Sequence, residues 1–220
     1  MKKYSFFIND YNSTIFFPKE RVKTKNQIIN ILLESCRYIL LNPNINKDEA
    51  VGEIMIIVDK MSRIFFFQKD KYYSIVFPYK IYKDNDKDKF KLFTKNDIEL
   101  NSFLISMVIS AINEDLFIDE CVLDFADFIY EFEKENKYVW NVIKELILLE
   151  DGYIRFDNDQ EGYEKAVKLG KPLMHPKNHY DLFYTNPVTF KIGLNKYHST
   201  TEMINFVNLT TDCLFVNYYK

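Results

Sequence analysis

Three short runs rich in β-branched and aromatic side chains follow one another between residues 54 and 77, and they constrain the fold more than any other stretch. They are 54–58 (Ile-Met-Ile-Ile-Val), 63–68 (Arg-Ile-Phe-Phe-Phe-Gln) and 72–77 (Tyr-Tyr-Ser-Ile-Val-Phe), with breaks of four residues at most. Connections that short join antiparallel neighbours, so an antiparallel meander is expected.

The remaining elements can be read outward from that meander. Residues 4–8 and 14–17 read as short strands, stopped by Asn9-Asp10 and by Pro18. From 26 to 41, Ile28, Ile29, Leu32, Leu33, Cys36, Ile39 and Leu40 recur at helical spacing, and Asn42-Pro43-Asn44 ends that helix. The Lys- and Asp-dense stretch 83–91 reads as a solvated loop or hairpin tip. Thr94 with Asp97 predicts a cap for a helix reaching about Asn113, and further helices are expected over 115–135 and 138–149, with Gly152 near the end of the last. A strand at 153–157, a short helix at 163–169 and strands at 181–184 and 188–194 follow, and Ser199 with Glu202 has the capping-box spacing for a final helix. The pattern predicts an α+β fold: antiparallel sheets packed with a helical middle segment and a C-terminal helix. With no Gly/Ser/Pro linker, one domain over 1–220 is expected, β-rich over 1–95, helical over 96–150 and mixed over 151–220.

Composition excludes several classes. Aromatic residues make up 17% of the 220, and the hydrophobic class 47%, enough for a sizeable core. Five glycines exclude collagen-like and flexible low-complexity chains, and no internal repeat appears at solenoid periods. Cys36, Cys121 and Cys213 are far apart and odd in number, which supports neither a disulfide framework nor a cysteine zinc site. The apolar run 103–112 is half of the roughly 20 residues that span a bilayer, so a soluble, cytoplasmic protein is expected. The net charge of −3 divides into +5 over 1–110 and −8 over 111–220, without the concentrated basic footprint of a nucleic-acid binder. The glycines form neither a Walker A loop nor a GxGxxG turn, and no GxSxG elbow is present.

Two regions hold residues of the kinds that do chemistry. Glu120, Asp124, Asp127 and Glu131 stand at spacings of 4, 3 and 4, which places four carboxylates on one helix face. Such a face suits docking of a basic partner or collection of a divalent cation, and equally the solvated side of an amphipathic helix. The second region is 153–198, with Arg155-Phe156-Asp157 and then His175-Pro176-Lys177-Asn178-His179-Tyr180-Asp181. All three histidines, His175, His179 and His198, fall within 24 residues. In a strand His175 and His179 would stand about 13 Å apart. A tight turn at Pro176 would bring them together, with Asp157, Asp159 or Asp181 to orient an imidazole or complete a metal site. Arg155 with Asp157 also fits a structural ion pair.

The quoted motifs resemble a family of small bacterial proteins defined as a domain of unknown function. The resemblance rests on Arg155-Phe156-Asp157, His175-Pro176-Lys177-Asn178-His179, Phe190-Lys191-Ile192, and residues 202–207 followed by Tyr218-Tyr219, over roughly the last 70 positions. The chain departs from that pattern at Lys191, where arginine is expected, and at Gly193, where proline or another residue is expected. The resemblance therefore does not extend to Arg-dependent recognition at that position. The resemblance implies an intracellular bacterial protein of about this length, encoded among mobile or phage-defence genes.

The leading expectation is a non-catalytic interaction or regulatory subunit of a bacterial antiviral multi-protein system, with a protein partner or a homo-oligomer. No cofactor is required by the motifs. The alternative is a metal-dependent hydrolase, a nuclease, using His175 and His179 with a divalent metal and the carboxylates nearby. A third reading is a nucleic-acid-binding module built on Lys-rich 80–95 with Tyr79, Tyr82 and Phe90. The functional cluster expected is Arg155, Asp157, His175, His179 and Asp181; the sequence leaves open whether the protein is an enzyme.

Overall fold

A computed structural model describes residues 1–18, 22, 24–84, 86, 88–113, 130, 132–185 and 188–213, and of residues 183–185, 188 and 189 the backbone alone. The fold is α+β with two antiparallel sheets. Its contacts gather into two compact units, one of 1–8, 50–76 and 152–220, the other of 9–49 and 77–151.

The first unit is built on a seven-stranded sheet. Its strands are β1 (Lys2–Ile8), β2 (Gly52–Val58), β3 (Ser62–Phe67), β4 (Lys71–Val76), β8 (Ile154–Asn158), β9 (Asn178–Thr185) and β10 (Val188–Leu194), side by side in that order. Every neighbouring pair is antiparallel, and for β2–β3 and β3–β4 the short breaks within 54–77 require it. The chain leaves the sheet after β4 and rejoins it at β8, directly beside the strand it left.

Register decides what each face carries. Phe156 stands opposite Tyr72 on one side and Tyr180 on the other, so these three share a face. There they join a core with Ile57, Phe65, Phe67, Ile154 and Met203, the last from the C-terminal helix Thr200–Phe206. Tyr180 stacks on Phe206 at 4.5 Å and meets Phe156 edge-on at 5.8 Å. That helix is held by the expected capping box: Ser199 Oγ accepts from Glu202 N, and Glu202 accepts from Ser199 N. Because side chains alternate, Arg155, Asp157, His179 and Asp181 fall on the opposite face of the same strands.

The second unit holds helices α1 (Asp10–Phe16), α2 (Lys25–Leu41), α3 (Ser102–Ile112) and α4 (Val139–Ile147), with a sheet of β5 (Lys80–Asp84), β6 (Lys89–Phe93) and β7 (Glu99–Leu100). Helix α2 packs against α3 and β6, and α3 against α4. A Thr24–Gln27 capping box opens α2, and Asn42 in the left-handed region closes it before Pro43.

Three local expectations are corrected. Residues 14–17 are not a strand: Asn9 accepts from Asn12 N and opens α1, whose Phe16 is buried, so a cap and burial override β propensity. Thr94 and Asp97 do not open a helix. Thr94 Oγ1 accepts from the Asn96 and Ile98 amides in a turn with Asp97 at φ 59°, and α3 begins later, capped by Asn101. Finally β9 starts at Asn178, so His179 is a strand residue instead of part of a turn.

Candidate metal centre

Arg155 and Asp157 alternate on β8, His179 and Asp181 on β9, and Lys191 lies on β10. The register sets Arg155 opposite Asp181, Asp157 opposite His179, and Lys191 opposite Asp181. Five polar side chains thus meet on one face of three adjacent strands. His179 and Asp181 are fully buried, while Arg155 and Asp157 are each 9% exposed.

Charged groups removed from water require close partners. Arg155 donates to Asp157 Oδ2 through Nε at 2.7 Å and to Asp181 Oδ2 through Nη2 at 2.6 Å. Lys191 Nζ donates to Asp181 Oδ1 at 2.9 Å and to His179 Nε2 at 2.6 Å. His179 Nδ1 lies 2.8 Å from the Pro176 carbonyl, which fixes Nδ1 as the donor and leaves the Nε2 lone pair facing Lys191. Burial, and then the Lys191 charge, hold the His179 imidazole below its ordinary pKa and keep it neutral. Burial pushes the Asp181 carboxyl up, yet the Lys191 hydrogen bond and the Arg155 charge outweigh it and leave that carboxyl below the usual range. Burial works against the Arg155 charge, and Asp157, Tyr153 and Asp181 together more than restore it. Two cations therefore balance two carboxylates around a neutral imidazole.

Asp157, His179 and Asp181 form a buried cluster capable of coordinating a metal ion, each offering one donor atom, all within 4.8 Å of one another. His179 Nε2 is 3.8 Å from Asp157 Oδ2 and 3.9 Å from Asp181 Oδ1. Ligands about 2.1 Å from a common ion stand about 3.4 Å apart in tetrahedral geometry, about half an ångström closer than these atoms. Asp157 Oδ1 is buried and has no hydrogen-bond partner among the described residues. An unpaired buried carboxylate oxygen is costly and is the atom a cation would satisfy. The donors are oxygen and imidazole nitrogen without thiolate, a set that suits a divalent ion such as Mn²⁺ or Zn²⁺. Asp157 also lines a cleft of about 540 Å³ with Gln68, Lys69, Lys71, Arg155 and Asp159. Lys69 and Lys71 form no ion pair among the described residues.

A second pair flanks this cluster. His175 Nε2 is 2.8 Å from Asp159 Oδ2, and Asp159 Oδ1 accepts from Gly162 N at 2.8 Å, capping helix α5 (Gln160–Lys168). Burial raises the Asp159 carboxyl, but the Gly162 amide and His175 outweigh it and hold it below its ordinary pKa. The His175 and His179 rings are 5.0 Å apart, so the two histidines do converge. They take different partners, however: His179 faces Asp157 and Asp181, and His175 faces Asp159. His198 lies on the apolar side, where its Nδ1 is 3.1 Å from the Tyr180 hydroxyl.

Among the expected site residues, Arg155, Asp157, His179 and Asp181 come together, with His175 beside them. The acidic face of Glu120, Asp124, Asp127 and Glu131 lies outside the described residues. In the Lys-rich stretch 80–95, Lys80 pairs with Asp97, Lys83 with Asp88 and Lys91 with Glu99, while Tyr79 and Phe90 are buried and Tyr82 is exposed. Sequence reasoning missed Lys191 as a site residue. Its signal was the alternation Phe190-Lys191-Ile192 on a strand paired with His179-Tyr180-Asp181.

Fold and site together define an α+β protein with a buried carboxylate–histidine cluster on one sheet face. Compared with protein-family models, curated proteins and solved structures, the chain matches none. Among the described residues no helix is long and apolar enough to cross a membrane.

Proposed function

We propose that this protein is a metal-dependent hydrolase of phosphate diesters, a nuclease in the broad sense, with Asp157, His179 and Asp181 holding the ion. The observation that carries this reading is Asp157: a member of the buried three-donor cluster that lines an open cleft and keeps one buried oxygen, Oδ1, without a hydrogen-bond partner among the described residues. A divalent ion there would supply Lewis-acid polarisation of a phosphoryl oxygen and a more acidic bound water. Lys69 and Lys71, on the same cleft, suit an anionic substrate. His175, hydrogen-bonded to Asp159 beside the cluster, is placed to hold or move a proton at Nε2.

The test is hydrolysis of single- and double-stranded DNA and RNA, and of a bis-aryl phosphate, with Mn²⁺, Mg²⁺ or Zn²⁺ and with chelator. Metal-dependent cleavage that H179Q and D181N abolish supports the reading. Absence of cleavage with every metal and substrate counts against it.

A second reading has its own observation. At the end of α5, at its C-cap and on the single helical turn after it, Val167, Leu169, Leu173 and Met174 are all exposed, Leu173 at 87%. Such an apolar strip fits an interaction or regulatory subunit, or a homo-oligomer. The triple variant L169S/L173S/M174S should then be smaller than wild type by light scattering. A wild-type chain that is monomeric and binds no protein in its host contradicts this reading.

A further inference from the structure

The position between His179 Nε2 and Asp181 Oδ1 is filled by the chain itself. Lys191 Nζ lies 2.6 Å from the first atom and 2.9 Å from the second, and these are two of the three donors that a metal ion would share. An ammonium and a divalent ion cannot both use the same imidazole lone pair. We propose that Lys191 is the resident cation of the centre, that a divalent ion binds only by displacing it, and that the displaced site takes a singly charged anion. This rests on the metal reading above and adds how that site is loaded and what charge its substrate carries.

Three observations bear on the exchange. The lone pair is already presented: His179 donates through Nδ1 to the Pro176 carbonyl, so Nε2 needs no proton loss or ring flip to meet a metal. The leaving group has a way out, because the Lys191 side chain is 26% exposed whereas Asp181 beneath it is fully buried. A lysine stem with several rotatable bonds can carry its head to water while its methylenes stay on the sheet. The Pro176 carbonyl that fixes the ring is itself seated by a glycine: Gly193 faces His179 across the strand pair, and an added Cβ there would come within 2.9 Å of Pro176 Cγ.

Charge balance then names the class of ligand. Arg155 and Lys191 offset Asp157 and Asp181, and His179 carries a single ring proton, on Nδ1 toward the Pro176 carbonyl, with Nε2 accepting from Lys191, so the resting cluster has no net charge. Exchanging the ammonium for a divalent ion leaves the buried group with one excess positive charge. A phosphodiester carries one negative charge and restores neutrality; a phosphomonoester dianion overshoots. Burial makes that difference matter, since uncompensated charge is costly away from water. The freed ammonium moves out to water, where solvent screens its charge and it no longer enters the balance of the buried cluster.

The experiment uses the full chain and Mn²⁺ as probe, by calorimetric titration of wild type, K191M and H179Q, with circular dichroism to establish folding. Removing a charge-assisted competitor should tighten Mn²⁺ binding by about ten- to a hundredfold in K191M, while H179Q weakens it. A second measurement needs no variant: acetylation of Lys191 by an amine-reactive ester, followed by mass spectrometry, should speed up when Mn²⁺ is present. Unchanged or weaker Mn²⁺ binding in folded K191M, or Lys191 acetylation that Mn²⁺ leaves unchanged or slows, overturns the exchange. The metal reading survives that result if H179Q still lowers affinity. Binding by K191M but not by wild type supports the exchange and removes the metal-dependent function proposed for the natural chain. If neither binds Mn²⁺, both fall. For the charge argument, diester cleavage should exceed monoester cleavage, and the opposite preference overturns it.

Discussion

Arg155 and Asp181 stand directly opposite each other on β8 and β9, and the guanidinium Nη2 donates to Asp181 Oδ2 at 2.6 Å. The same guanidinium also holds Asp157, so one cation anchors both carboxylates of the centre. Replacing Arg155 by methionine should destabilise the protein by about 3–5 kcal/mol, because two buried carboxylates lose their shared partner. R155K should recover only part of this, since an ammonium cannot reproduce the forked contact. Urea unfolding of the two variants checks the order.

Gly162 sets the position of His175. A Cβ built there would fall 2.3 Å from His175 Nε2 and 2.4 Å from Asp159 Oδ2. Gly→Ala inside a helix ordinarily stabilises by about 1 kcal/mol. Here G162A should destabilise instead and displace the imidazole, which nitrogen-detected NMR of the His175 ring would report. A stabilised G162A with unchanged His175 signals would contradict this role.

Stability should fall as pH drops from 7 toward 5. Burial holds His198 and His179 below their ordinary pKa, so the unfolded chain takes up protons first. Their stabilising contribution is complete above about pH 6.5, the unfolded value, and is lost as pH falls through the folded values. H198Q, which can still accept from the Tyr180 hydroxyl, should flatten the melting temperature over this window.

Glu202 acts lower on the scale. Lys196 and the Ser199 amide bring its carboxyl down to about 2. Its stabilisation of the last helix is present above the ordinary glutamate range and is lost as pH falls toward that value. E202Q should remove the part of the acid-unfolding profile between pH 4.5 and about 2, and should leave the histidine window unchanged.

The meander was legible because its breaks admit one strand direction, and helix α2 because its apolar spacing runs up to the Asn42-Pro43 stop. Residues 14–17 misled because Thr-Ile-Phe-Phe favours a strand wherever no cap competes, and Asn9 supplies one. Residue types drew attention to Arg155, Asp157, His179 and Asp181, but their convergence depends on cross-strand register. Spacing suggested that His175 and His179 share one site. A carbonyl contact separates them, since Pro176 O accepts a hydrogen bond from His179 Nδ1 and so aims Nε2 at Lys191. Lys191 itself was hidden because it is ten residues beyond Asp181, and only the β9–β10 hairpin makes them neighbours.

On the metal reading Asp157 is a ligand, and its buried Oδ1 has no other partner among the described residues. Titrating Mn²⁺ or Zn²⁺ into metal-free wild type and into D157N tests it most directly. One ion per chain in wild type, with affinity at least about tenfold weaker in folded D157N, is the predicted result. Equal affinity in the two proteins, or no binding by wild type, would contradict it.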